Sequence, residues 1–152
     1  MIFPNFKTEN ALYESGYDFV IGCDEVGVGP LAGPVVAAAC VLDKNSIGKN
    51  RGKNKWYYRV RDSKTILEKE REKLLPEVLA HCIAFGIGEV LPAKIDEINI
   101  HNASLLAMKR AIESLVSKLQ NLFSPANDIS AAPVNKIFLL LDGKFIIKDL
   151  LF

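Results

Sequence analysis

The chain has 152 residues, 49% of them hydrophobic and 24% charged, with a formal net charge of +1. That length suits one domain, the balance excludes a disordered tail, and near-neutrality excludes a polycation binding nucleic acid over its whole surface. No apolar run reaches the roughly 18 residues of a membrane helix, and Met1 to Asn10 lacks a secretory pattern, so the expected compartment is the cytosol, with no membrane partner.

Tyr17 to Cys23 predicts a short apolar strand running into an acidic turn, Asp24-Glu25-Val26-Gly27-Val28-Gly29-Pro30, where two glycines and a proline break the pattern. Gly33 to Leu42 is a second apolar run, suited to a covered strand antiparallel to the first. Lys44 to Lys64 then gathers Lys44, Lys49, Arg51, Lys53, Lys55, Arg59, Arg61 and Lys64 around Trp56, Tyr57 and Tyr58, with Asp62 the one acid among them. This pattern fits a solvated loop and a nucleic-acid contact equally well. Thr65 followed by Glu68 predicts a capping box opening a helix, with Leu67, Leu74, Leu75, Val78 and Leu79 as its core face up to Ala80.

Cys82 to Val90 alternates large and small residues as a strand does, and Pro92 ends it. A short helical stretch then leads into a longer helix on which Leu105, Met108, Ile112, Leu115 and Leu119 share one face. Asn99, Asn102 and Ser104 are expected on its solvated side. Ser124 to Val134 reads as a surface connection, and Ile137 to Leu141 as a strand buried on both faces, closed by Asp142-Gly143. This order predicts a mixed α/β sheet with flanking helices in one domain over residues 1–152. The apolar ending Leu150-Leu151-Phe152 predicts that the domain is incomplete as given. Cys23, Cys40 and Cys82, odd in number and without a C-x-x-C pair, are expected as buried free thiols. His81 and His101 have no partner at metal spacing and are expected in structural or surface roles.

The candidate chemistry is acidic. Asp24 and Glu25 are adjacent, and neighbours in a regular strand point to opposite faces, so both serve one site only if the backbone turns there. Such a pair beside a glycine turn also reads as an ordinary polar turn, and Asp142-Gly143 as an ordinary hairpin turn. Functional groups of α/β sheets nevertheless gather beyond strand ends, where Asp142 falls. Carboxylate oxygens alone select magnesium or manganese over zinc.

The run from Ile21 to Ala39 (IGCDEVGVGPLAGPVVAAA) resembles the opening signature of bacterial ribonuclease HII. Arg61-Asp62-Ser63-Lys64, Ile95 to Ile100 with Ala103 to Met108, and Leu140-Leu141-Asp142-Gly143 are similar to further family stretches in the same order, so the resemblance runs from about Tyr17 to the end. It implies a ribonuclease H-like fold whose C-terminal helices are missing here. It also implies an endonuclease, an RNA-DNA hybrid ribonucleotidohydrolase, hydrolysing the phosphodiester 5′ to ribonucleotides in RNA/DNA hybrids or embedded in duplex DNA. Asp24, Glu25 and Asp142 match three of the family's four metal-binding carboxylates and would be both catalytic residues and ligands of two Mg2+ or Mn2+ ions held with substrate.

In the family a Gly-Arg-Gly segment reads the ribose and its phosphates, recognising the 2′-hydroxyl. Gly27, Val28 and Gly29 occupy it here, with valine in place of the arginine, so the resemblance implies one charged contact fewer. Lys64 would contact phosphate, with Ser63 beside it, and the basic stretch before them would add salt-sensitive duplex affinity. The fourth acid and a later stacking tyrosine lie beyond Phe152, so the expectation is a monomer whose given fragment is inactive. The alternative is a noncatalytic nucleic-acid-binding remnant of the same fold.

Overall fold

The computed structural model describes residues 4–30, 32–46, 56–123, 136–142, 147 and 150. In chain order the elements are α1 (Lys7–Glu14), β1 (Phe19–Val26), β2 (Val35–Leu42), α2 (Glu68–His81), β3 (Cys82–Val90), α3 (Pro92–Phe123) and β4 (Ile137–Leu141), with 3-10 turns at Trp56–Arg59 and Ser63–Thr65. The strands form one sheet in the order β3-β2-β1-β4, with β1 antiparallel to β2, β2 antiparallel to β3, and β4 parallel to β1. A mixed sheet with flanking helices is thus the architecture, as the sequence predicts. Among the described residues no helix is long and apolar enough to cross a membrane.

Strand alternation decides which face is covered. Phe19, Ile21 and Cys23 of β1 share a face with Val35, Ala37, Ala39 and Val41 of β2 and with Ala84 and Val90 of β3, and all are buried. Onto that face α3 lays Met108, Ile112, Leu115 and Leu119, all fully buried, each contributing roughly 1.5–3 kcal/mol of apolar transfer. The small residues of β3 let the helix come down. A Cβ on Gly86 would stand 2.1 Å from the Ala111 carbonyl oxygen, and one on Gly88 2.1 Å from that of Ala107.

The expected junction between a short and a longer helical stretch falls at Asn99, whose φ of 67° and ψ of 164° interrupt α3. The Asn99 side chain accepts from the Asn102 amide at 3.0 Å, capping the second stretch.

Several expectations need correction. β1 does not end at Cys23, because the ladder with β2 continues through Asp24↔Ala38 and Glu25↔Ala37 to Val26↔Val36, carrying both acids inside the strand. Thr65 does not cap α2: its hydroxyl is held by the Asp62 carbonyl at 2.8 Å in a separate 3-10 turn, and the residue before α2 is Leu67, with no side-chain cap. Of the expected α2 core face only Leu74 is buried, whereas Leu67, Leu75 and Leu79 are exposed. Ser104 is buried, not solvated, because it sits beside Ala103 and Ala107 on the face of α3 turned to the sheet, and its hydroxyl has no hydrogen-bond partner among the described residues. β4 is half-buried along its whole length, since it is the last strand of the described sheet and pairs only with β1.

The basic, aromatic stretch is partly described. Tyr57 is buried edge-on to Phe6, and Trp56 stacks on His81 with ring centroids 4.6 Å apart. These rings pack the protein itself, which gives His81 its structural role. The three cysteines are free thiols, Cys23 buried and Cys40 and Cys82 half-buried. The predicted connection at 124–134 lies outside the described residues.

Candidate active site

Sheet pairing alone assembles the acids. Cys23 is the register partner of Leu141 in the parallel β1–β4 pair, so the next residues, Asp24 and Asp142, come side by side at the ends of neighbouring strands. The Asp142 amide points at the Cys23 carbonyl at 3.4 Å, extending that pairing beyond the last ladder pair. Both aspartates are exposed. Glu25, one residue on, is half-buried and belongs to the face that α3 covers, in register with Ala37. The Asp24 carboxylate turns back along the strand to accept the Glu25 amide at 2.8 Å.

Electrostatics links the group. Burial raises the Glu25 carboxyl above the usual carboxylate range, the negative charges of Asp24 and Asp142 push it further, and the Lys64 ammonium opposes them. Acids at one strand end thus repel each other, which is what a bound cation would relieve. The donors are all carboxylate oxygens, fitting magnesium or manganese in kind. Among the described residues, however, no three His, Cys, Asp or Glu side chains stand close enough to hold one ion. The Cys23 thiol, just before the pair, is pushed up to about 12 by burial and then by Asp24 and Glu25, so it stays protonated at neutral pH and is no nucleophile.

The two glycines after β1 differ. Gly27 has φ of +98°, and a Cβ there would stand 2.4 Å from the Pro34 carbonyl oxygen, so the loop's own return path requires glycine. Gly29 has no atom within 4 Å of where a Cβ would be. Val28 between them is exposed. Ser63 and Lys64 lie on the 3-10 turn, exposed, with the Lys64 amide donated to the Asp62 carboxylate at 3.0 Å. Gly143 lies outside the described residues.

Two residues near this site were not singled out from the sequence. Asp62 closes the turn that carries Lys64, a local Asx pattern that the Asp-Ser-Lys spacing does contain. Arg71 donates from one guanidinium nitrogen to the Ser63 carbonyl at 3.1 Å and the Ile66 carbonyl at 2.7 Å, a contact no short-range pattern announces.

Comparison with known proteins agrees with this architecture. The family model for Ribonuclease HII matches residues 21–136. Ribonuclease HII of Caldicellulosiruptor bescii is 48% identical over 110 residues, covering 72% of this chain and 49% of that protein. Ribonuclease HII of Desulfotalea psychrophila is 44% identical over 142 residues, covering 93% and 52%. Among solved structures, ribonuclease H2 of Pyrococcus horikoshii superposes with a TM-score of 0.51 at 28% identity, over 64% of this chain and 44% of that one. A mutant of Bst-RNase HIII gives a TM-score of 0.56 at 21% identity, over 84% and 37%, a likeness of fold. The chain spans about half the length of the curated relatives it matches first. By the family match and the identities above, this chain belongs to the ribonuclease HII family.

Proposed function

We propose that this chain carries catalytic carboxylates of a metal-dependent endonuclease that hydrolyses the phosphodiester 5′ to a ribonucleotide in an RNA/DNA hybrid or in duplex DNA. The observation that carries the reading is the β1–β4 register, which sets Asp142 beside Asp24 with Glu25 in electrostatic reach of both. Asp24, Glu25 and Asp142 would hold two magnesium or manganese ions, whose charge would offset the repulsion among the carboxylates. Bound ions of this kind lower the pKa of a water and offset charge on a leaving oxygen.

The chain's own residues orient the substrate. Lys64 supplies a positive charge within electrostatic reach of Glu25, which would favour a phosphate there. Gly29 leaves its backbone open to close approach by a ribose, as no described residue comes within 4 Å of where its Cβ would be. Val28 brings no charge to the same loop, so phosphate binding rests more heavily on Lys64, with Ser63 beside it.

The test is nicking of a duplex containing one ribonucleotide, with Mg2+ or Mn2+, by this sequence carried within a full-length protein of the family. Cleavage 5′ to the ribonucleotide that is lost with Asp24→Asn, with Asp142→Asn and with an all-deoxy duplex supports the reading. A second reading, noncatalytic binding of such duplexes, is favoured because no three of the described acids stand close enough to hold one ion. Tight, salt-sensitive binding without metal-dependent nicking would select it.

A further inference from the structure

Lys64 stands on a three-residue 3-10 turn, a short element that makes few bonds of its own. Its backbone is nevertheless tied on three sides. The Asp62 carboxylate takes the Lys64 amide at 3.0 Å, and the Thr65 hydroxyl and amide donate to the Asp62 carbonyl at 2.8 and 2.9 Å. From the other side the Arg71 guanidinium bridges the Ser63 and Ile66 carbonyls, which bracket Lys64 and Thr65.

Arg71 is not placed for the benefit of its own helix. It lies one turn into α2, whose first residue is Glu68, where the helix dipole disfavours a cation. Its side chain instead folds back over the helix start to the preceding turn, and the planar guanidinium suits the task because two N–H groups on one nitrogen diverge toward two acceptors. We propose that Arg71 is a positioning residue that clasps the turn at 62–66 and thereby fixes the backbone from which Lys64 reaches the substrate phosphate. The inference rests on the nuclease reading for its phosphate and on geometry alone for the clasp.

Two readouts separate these parts. Amide hydrogen exchange reads the clasp: Arg71→Leu is expected to speed exchange at Lys64 and Thr65 by about tenfold while β3 and α3 are unchanged. Binding to a duplex with one ribonucleotide, with Ca2+ in place of a cleavage-supporting ion, reads the consequence. Arg71→Leu and Lys64→Ala are each expected to weaken Kd by about three- to tenfold, with the double variant no weaker than Lys64→Ala alone. Arg71→Lys, which keeps the charge and loses the fork, is expected to behave as Arg71→Leu. Unchanged exchange at Lys64 and Thr65, additive binding losses, or full rescue by lysine would each overturn the proposal. If the unaltered chain does not bind the duplex, the nuclease reading fails, and the exchange result still decides the clasp.

Discussion

The two faces of the sheet follow different rules. On the α3 side, β1, β2 and β3 present an unbroken buried surface, and β3 gives up side chains at Gly86 and Gly88 so that the helix backbone can touch the strand. On the other side Val20 is buried, but Asp24, Val26, Ala38 and Ile87 are exposed. Packing is therefore specified tightly on one face, and the aspartate row stands on the face where less is demanded. Glu25, on the packed side, carries a burial cost that raises its carboxyl above the usual carboxylate range.

The sharpest way to break this contrast is to add one methyl group to each face. Gly86→Ala drives a Cβ to 2.1 Å from the Ala111 carbonyl oxygen and 2.6 Å from the Leu115 amide nitrogen, atoms of a helix backbone that cannot turn aside. A loss of about 3 kcal/mol is expected, at the upper end for overpacking. Gly22→Ala places its Cβ on the opposite face with nothing within 4 Å, and should change stability by less than about 0.5 kcal/mol. Urea midpoints measure both, and equal effects would mean that the faces are not distinct.

Removing side chains asks the same question from the opposite direction, with an effect of similar size. Ile112 is fully buried, while Ile87 is 53% exposed on the other face. Ile112→Ala should cost about 2–5 kcal/mol and leave a cavity under α3, whereas Ile87→Ala should cost under about 1 kcal/mol. Next in size is Asn99, where α3 bends. Its φ and ψ fall in a region nearly reserved for glycine, yet its side chain caps the following stretch. Asn99→Ala loses the cap and keeps the strain, a loss of about 1–2 kcal/mol by denaturation. Asn99→Gly trades the cap for relaxation and should be near neutral.

The same contrast explains what could be read in the sequence. Cys82 to Val90 was legible to the residue because large-small alternation is the imprint of one packed face, and the Leu105 to Leu119 spacing marked the helix laid on it. Ser104 misled because polarity suggests solvent, while its place next to Ala103 and Ala107 decides burial. On α2, spacing alone suggested a core face for Leu67, Leu75 and Leu79, but only packing partners can make one. Asp24, Glu25 and Asp142 were recognisable as candidates from their place at strand ends beside glycines and from family resemblance. That they meet was implied by the resemblance, but the parallel β1–β4 pairing that brings Asp142 beside Asp24 was not legible, since it joins strands more than a hundred positions apart.

The smallest effect leaves stability alone and reads the faces through thiol chemistry. Cys23 points into the covered face, and Cys40, at Phe85 in the ladder, lies on the other. Cys82 pairs with Leu42 beyond an irregularity in the β2–β3 ladder and lines a cleft of about 500 Å³ with Leu79, Phe85, Lys118 and Leu122. A hydrogen bond from the Cys40 thiol lowers the Cys82 pKa, while the same bond and burial raise that of Cys40. Alkylation follows the thiolate fraction. As pH rises, Cys82 should therefore be labelled by iodoacetamide first, Cys40 well after it, and Cys23 only on unfolding. Cys40→Ser keeps a donor beside Cys82 and should preserve its early labelling, whereas Cys40→Ala should shift the Cys82 profile to higher pH. Mass-spectrometric mapping of the labelled peptides follows all three, and labelling of Cys23 in step with Cys82 would show that α3 does not seal the face it covers.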